Sequence, residues 1–291
     1  MCRAESFATS HPSMFARCWR APGARVSGPA VILVHGLALS GRYLRPTAER
    51  LAAAERDLHV YADVYAPDLP GHGRSGTPPA ALDVPGLAAV LGAWLDVAVG
   101  RPVLLVGHSL GAQVVAELAR RAPARVVGVV LAAPTVDPAH RAAGAEIARL
   151  LRDAPRERPA LLALAAAAYA RSGPRRALAT LRYAIAHRLE DTVPALAMPV
   201  QVIHGTRDPL VSAAWAARLA ALTDRAPITL PGAPHGMPYS SAPAFAAAVI
   251  ATLHAMAGRG GGHHGGGHHD GVPCDVRSAP AAAVSTPALP R

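Results

Sequence analysis

The chain has 291 residues, 51% of them hydrophobic and 16% charged, which excludes disorder over most of its length and supplies apolar surface for a substantial core. All of the 29 basic residues behind the formal charge of +10 are arginine, Lys and Asn are absent, and aromatics are only 4%. The charge therefore reads as compositional bias and not as a nucleic-acid footprint, which wants basic residues clustered beside stacking aromatics.

In chain order, Met14 to Trp19 alternates loosely as an edge strand would, and Val31 to Val34 is a buried strand entered through Gly28-Pro29. A helix is expected about Tyr43 to Glu55, then a strand from about Leu58 to Ala66 that runs into the turn-rich segment Asp68 to Gly73. A helix about Val84 to Val97 leads through Gly100-Arg101-Pro102 to the apolar strand Val103 to Val106. Helical period returns over Gln113 to Arg121, and Val126 to Leu131 is the next strand. Strands that are apolar throughout and alternate with helices indicate an α/β fold with a mostly parallel central sheet covered by helices on both faces.

After Pro134 the alternation stops, and residues 135–195 read as a helical, Arg- and Ala-rich insertion interrupted by Pro155, Pro159 and Pro174. The alternation resumes with the strand Val200 to Ile203, a helix near Ser212 to Leu222, a strand at Ile228 to Leu230 and a helix at Pro243 to Met256. The expected organisation is thus 1–134 and 196–257 as two halves of one core, 135–195 inserted between them, and 258–291 as a disordered tail. No apolar run approaches the roughly 18 residues that cross a bilayer. The sparse cysteines (Cys2, Cys18, Cys274) show no metal spacing, and the first residues hold no apolar leader, so the cytoplasm is expected.

The strongest chemical signal is Gly107-His108-Ser109-Leu110-Gly111, placed between a buried strand and an amphipathic helix. That context forces a sharp turn that projects the serine hydroxyl out of the sheet and brings the Leu110 amide, at a helix N-terminus, towards the same space. Helix capping alone is the bland reading of Ser109. Two further loops weigh against it: Asp208 follows strand Val200 to Ile203, and His235 follows strand Ile228 to Leu230. An alcohol needs a base and the base needs an orienting carboxylate, so the order Ser109, Asp208, His235 points to nucleophilic catalysis at the carboxyl ends of the strands.

With these residues the chain resembles the α/β-hydrolases over about residues 13 to 257. His35-Gly36-Leu37 is similar to the family's HG segment, and Asp68-Leu69-Pro70-Gly71-His72-Gly73-Arg74-Ser75 is similar to its DxxGxGxS loop. The resemblance implies a serine hydrolase of small-molecule acyl substrates, with Leu37 and Leu110 amides as the oxyanion hole and residues 135–195 as a cap. It implies no metal and no organic cofactor. Asp137 is the rival acid, since some relatives place theirs after the preceding strand. His35, His72, His108 and His204 are expected to support the loops. The same triad also serves acyl transfer and cofactor-free perhydrolysis or haloperoxidation, and a silent small-molecule receptor can retain it. The tail's His263-His264 and His268-His269 sit among glycines, which do not preorganise metal ligands. The insertion's ten arginines against six acids are read as a solvated face.

Overall fold

The computed structural model describes residues 3–7, 13–20, 28–58 and 63–257. The histidine-rich tail, Cys2 and Cys274 lie outside the described residues. Among the described residues eight strands form one sheet: β1 (Arg3–Phe7), β2 (Met14–Trp19), β3 (Ala30–Val34), β4 (Val64–Pro67), β5 (Val103–His108), β6 (Val126–Ala132), β7 (Val200–Gly205) and β8 (Ile228–Leu230). Their order is β1-β2-β4-β3-β5-β6-β7-β8. β2 pairs antiparallel with both β1 and β4, and all other neighbours are parallel.

β3 and β5 are adjacent, yet the chain leaves β3 towards β4 and leaves β5 towards β6 in the opposite direction. This reversal opens a crevice at the carboxyl ends of β3 and β5, where open α/β sheets hold their ligands. Ile32, Leu33, Leu104 and Leu105 on these two strands are at most 1% exposed, so a central pair of strands buried on both faces forms a rigid floor under the crevice.

Helices cover both faces. α1 (Arg45–Leu58) packs with the C-terminal helix, and α2 (Val84–Ala98) packs with α3 (Leu110–Arg121). Asp83 starts α2 by accepting from the Gly86 amide at 2.8 Å, and Pro85 occupies the first turn, where a missing N–H is harmless. Between β6 and β7 lie α4 (Ala143–Asp153), α5 (Pro159–Ser172), α6 (Pro174–Ala186) and the short α7 (Leu189–Thr192). Pro159 and Pro174 are the first residues of α5 and α6, so these prolines begin helices and do not interrupt them. The core then finishes with α8 (Ala213–Ala220), α9 (Met237–Ser240) and α10 (Ala242–Ala257).

Three expectations are corrected. Met14 to Trp19 is not an edge strand, because β1, which lacks a long apolar run, pairs on its outer side. Leu58 closes α1, and the strand begins only at Val64; the seven-residue spacing from Leu51 to Leu58 is two helical turns and extends the helix. Helix α3 starts at Leu110, three residues before the expected Gln113, because Ser109 itself makes the turn.

Candidate active site

Strand β5 runs into α3 through Ser109, whose φ of 56° lies in the left-handed region that a side chain seldom adopts. Two glycines permit this. A Cβ on Gly107 would stand 2.2 Å from the Gly111 carbonyl oxygen, and one on Gly111 would stand 2.3 Å from that of Val34. Strand, turn, helix and β3 can therefore approach more closely than any side chain at either position would allow. Such a backbone conformation costs about 1–3 kcal/mol and persists only where packing enforces it. Here the enforcement is visible, since α3 is buried from Leu110 to Ala119.

The strained turn delivers Ser109 Oγ to 3.1 Å from His235 Nε2, and His235 Nδ1 donates to Asp208 Oδ2 at 2.8 Å. The three residues come from loops after β5, β7 and β8, so parallel strands separated widely in sequence aim them at one point. Asp208 is fixed in turn: its Oδ1 accepts from the amides of Leu210 and Val211 at 2.8 and 3.2 Å. Asp137 is committed elsewhere, accepting from the Ala139 amide at 3.0 Å and from Ser212 Oγ at 2.7 Å. Leu37 follows Gly36, where an added Cβ would lie 3.2 Å from Ser109 Cβ, so the His35–Leu37 segment lies against the serine. Leu110 is the first residue of α3, so its amide has no acceptor one turn back within the helix.

Electrostatics separates His235 from His35 and His108. Burial is the largest influence on His235 and opposes its charged form, but the Asp208 carboxylate, by charge and hydrogen bond, outweighs it. With Asp153 and Glu157 adding to the pull, the ring is raised to about 9. His35 and His108 are pushed down to about 3, chiefly by burial. Both stay neutral and serve as connectors. His35 Nε2 accepts from the Leu69 amide at 2.9 Å, tying the first loop to the Asp68 loop. His108 Nε2 donates to the His235 carbonyl at 2.8 Å, and its Nδ1 accepts from the Tyr43 hydroxyl at 2.6 Å. His204 meets Thr229 Oγ1 at 2.9 Å, and His72 Nδ1 donates to the Pro70 carbonyl at 3.1 Å.

Sequence reasoning missed the carboxylates that hold the histidine loop from the insertion side. Asp153 Oδ1 accepts from the His235 amide at 3.3 Å, while Glu157 accepts from the Gly236 amide and from Ser240 Oγ. Burial, with the neighbouring Glu157, raises Asp153 to about 7, and burial likewise raises Glu146 to about 7. Gln113 was missed too. Its Nε2 donates to the carbonyls of Thr135 and Ala184 at 2.7 and 3.0 Å, joining α3 to the start of the insertion and to α6.

A cavity of about 620 Å³ opens between the insertion and the Leu37–Leu39 segment, walled by Ile147, Leu150, Leu151, Tyr169, Leu178 and Leu181 among others. Five of these six insertion side chains remain at least 39% exposed, Leu181 being the buried one. Apolar groups left open around a concave space are what an apolar ligand would cover.

Comparison with known proteins now places the chain. The model of the "Alpha/beta hydrolase family" matches residues 31–249, and the chain belongs to that family of hydrolase enzymes. Among curated relatives, a pimeloyl-[acyl-carrier protein] methyl ester esterase of Methylococcus capsulatus is 40% identical over 99 residues, 34% of this chain and 34% of that one. The matched part thus spans about a third of the length of such curated relatives. A putative lipase of Acinetobacter baumannii superposes with a TM-score of 0.72 at 16% identity, covering 89% of this chain and 93% of that one. A thermophilic esterase of Thermogutta terrifontis gives 0.70 at 19% identity, covering 87% and 99%. At these identities the structural likenesses establish the fold. No helix among the described residues is long and apolar enough to cross a membrane.

Proposed function

We propose that Ser109, His235 and Asp208 form a catalytic triad that hydrolyses an ester or related acyl bond of a small apolar substrate through an acyl-enzyme. The observation that carries this reading is the continuous chain from Ser109 Oγ through both nitrogens of His235 to Asp208, at 3.1 and 2.8 Å. With Asp208 facing Nδ1, the neutral ring keeps its hydrogen there and presents Nε2 as an acceptor. Nε2 takes the Ser109 proton as Oγ bonds to the carbonyl carbon, and the charge that passes to the carbonyl oxygen meets the Leu37 and Leu110 amides. The imidazolium then protonates the leaving oxygen or nitrogen as its bond to carbon breaks. Water, deprotonated by the same ring, releases the acid and restores the serine. These steps use only groups of the chain, substrate and water.

Residues 135–195 act in this reading as a cap whose apolar wall receives the acyl chain. Each methylene moved from water onto that wall contributes about 0.8 kcal/mol, or roughly fourfold in binding. A series of chromogenic esters of increasing acyl length tests the reading. kcat/KM should climb about fourfold per methylene until the cavity is filled and then level off. A flat series, or turnover undiminished in Ser109→Ala, would overturn it.

A further inference from the structure

A second cavity, of about 310 Å³, adjoins the first and shares Leu39 with it. Helix α5 divides the two. Ala165 and Tyr169 line the apolar side, while Leu164, Ala168 and Arg171, spaced by four and three, line the other. The second cavity is lined by four arginines: Arg17, Arg42, Arg74 and Arg171.

Three of these guanidiniums are held in place. Arg17 and Arg74 both lie over the Phe15 ring, with their central carbons 4.9 and 4.1 Å from its centroid. Arg17 also gives one N–H to Asp68 Oδ1 at 2.9 Å. Arg171 gives its Nε–H to the Gly73 carbonyl at 2.6 Å, joining α5 to the loop that follows β4. A guanidinium carries five N–H donors, so anchoring leaves Arg17 and Arg171 with most of theirs. Arg42 and Arg74 make no side-chain hydrogen bond to another described residue. Among the described residues the single carboxylate paired with any of the four is Asp68, on Arg17. Four cations lining one concave space, with one counter-charge among the described residues, repel each other, and an anion seated among them relieves that repulsion. Stacking and anchoring also mean that less rotamer freedom is lost when such an anion binds.

We infer that this second cavity binds an oxyanion, a phosphate or carboxylate group, carried by the same molecule whose apolar part fills the neighbouring cavity. The inference deepens the proposed function and rests on it for the ester bond being cut, but the anion site itself can be tested without turnover. Phosphate and carboxylate share the planar, fork-like recognition that arginine offers, and each charge-assisted pair is stronger than a neutral hydrogen bond.

The test compares the full chain with Arg42→Gln/Arg74→Gln, neither residue touching the reacting groups. Three chromogenic esters of equal chain length are used, ending in a methyl, a carboxylate or a phosphate. For the wild type, at least one anionic ester should show a KM at least tenfold below that of the methyl ester, and the arm that does so identifies the anion. The double variant should lose that preference while its kcat/KM for the methyl ester changes less than twofold. Arg42→Lys/Arg74→Lys should recover part of it. Calorimetric titration at low salt with inorganic phosphate and with acetate gives the readout free of catalysis. The wild type should bind at least one of them, and the Gln variant, with an unchanged melting temperature, should bind it at least tenfold more weakly. If no ester is turned over but the anion still binds, the triad reading fails and the anion site stands. Equal KM values for charged and uncharged esters, together with no anion binding by calorimetry, would overturn the inference.

Discussion

The serine turn and the helical insertion are built on opposite terms. Around Ser109 the polar groups of the reacting line are paired, and Asp208, His235 and His108 sit in a buried chain of hydrogen bonds. In the insertion, large apolar residues such as Leu151, at 70% exposure, stand open, and the carboxyls of Glu146 and Asp153 are raised by burial. The first region is preorganised for one reaction, which demands fixed dipoles. In the proposed reading the second leaves surface to be covered by whatever enters, and so would set which molecule reacts. On the proposed function, reactivity and selectivity reside in different regions of this chain, and mutations should separate them.

The largest effect belongs to the paired side. Ser109→Ala should lower turnover by about 10⁶ with melting temperature unchanged, since a hydroxyl is removed without leaving a cavity. Steady-state kinetics on chromogenic esters measures it, and a loss of less than tenfold would place the nucleophile elsewhere. Next comes the orienting acid: Asp208→Asn should cost about 10⁴ in kcat, because the amide no longer favours the tautomer that leaves Nε2 free. Asp137→Asn should stay within a few-fold of the parent, since Asp137 bonds Ala139 and Ser212 and not the ring.

The open side should give smaller and differently shaped effects. Leu178→Ala removes part of the apolar wall and should raise KM for long acyl esters about tenfold, on burial of roughly 1.5 kcal/mol, while leaving kcat for a short acetate ester within twofold. Equal losses on both esters would mean that the wall shapes the reacting line itself and would break the comparison.

The smallest expected effect joins the regions. Because His235 is raised above the ordinary imidazole range, its base form appears only as pH rises, and log kcat/KM should climb through the neutral range towards about pH 9. Glu157→Gln removes a charge that favours the imidazolium, so the ring's pKa falls and the acidic limb should move to lower pH. Glutamine keeps a carbonyl oxygen for the Gly236 amide and can donate its NH2 to Ser240 Oγ, so the plateau should change little. A limb that stays in place would separate the insertion's carboxyls from the ring.

How much of this could be read in advance follows the same division. Ser109, Asp208 and His235 were legible because each sits just beyond an apolar strand, in a short loop marked by Gly or Pro, and parallel strands must bring such loops to one edge. Leu37 and Leu110, the amides proposed for the oxyanion, stand beside glycine motifs and so could be named from the sequence. Asp153 and Glu157 were not: they reach the histidine loop across 82 and 79 positions from helical segments whose charge pattern looks like any solvated face. Arg17 and Arg74 were hidden in the same way, because what unites them is one Phe15 ring between two distant segments. Strand β1 was hidden because an outer antiparallel strand is defined by its pairing with β2 more than by its own hydrophobicity.

The central claim is that the hydroxyl at the strained turn is the one activated alcohol. A fluorophosphonate forms a covalent bond only with a serine whose proton can be withdrawn, so its site of attachment tests that claim directly. The chain should be labelled once, with the added mass on the peptide containing Ser109. Labelling should weaken as pH falls below about 9 and His235 takes up its proton, and it should vanish in Ser109→Ala. Label on another serine, such as Ser40 or Ser75, or an unlabelled wild-type chain that is fully folded, would contradict the account.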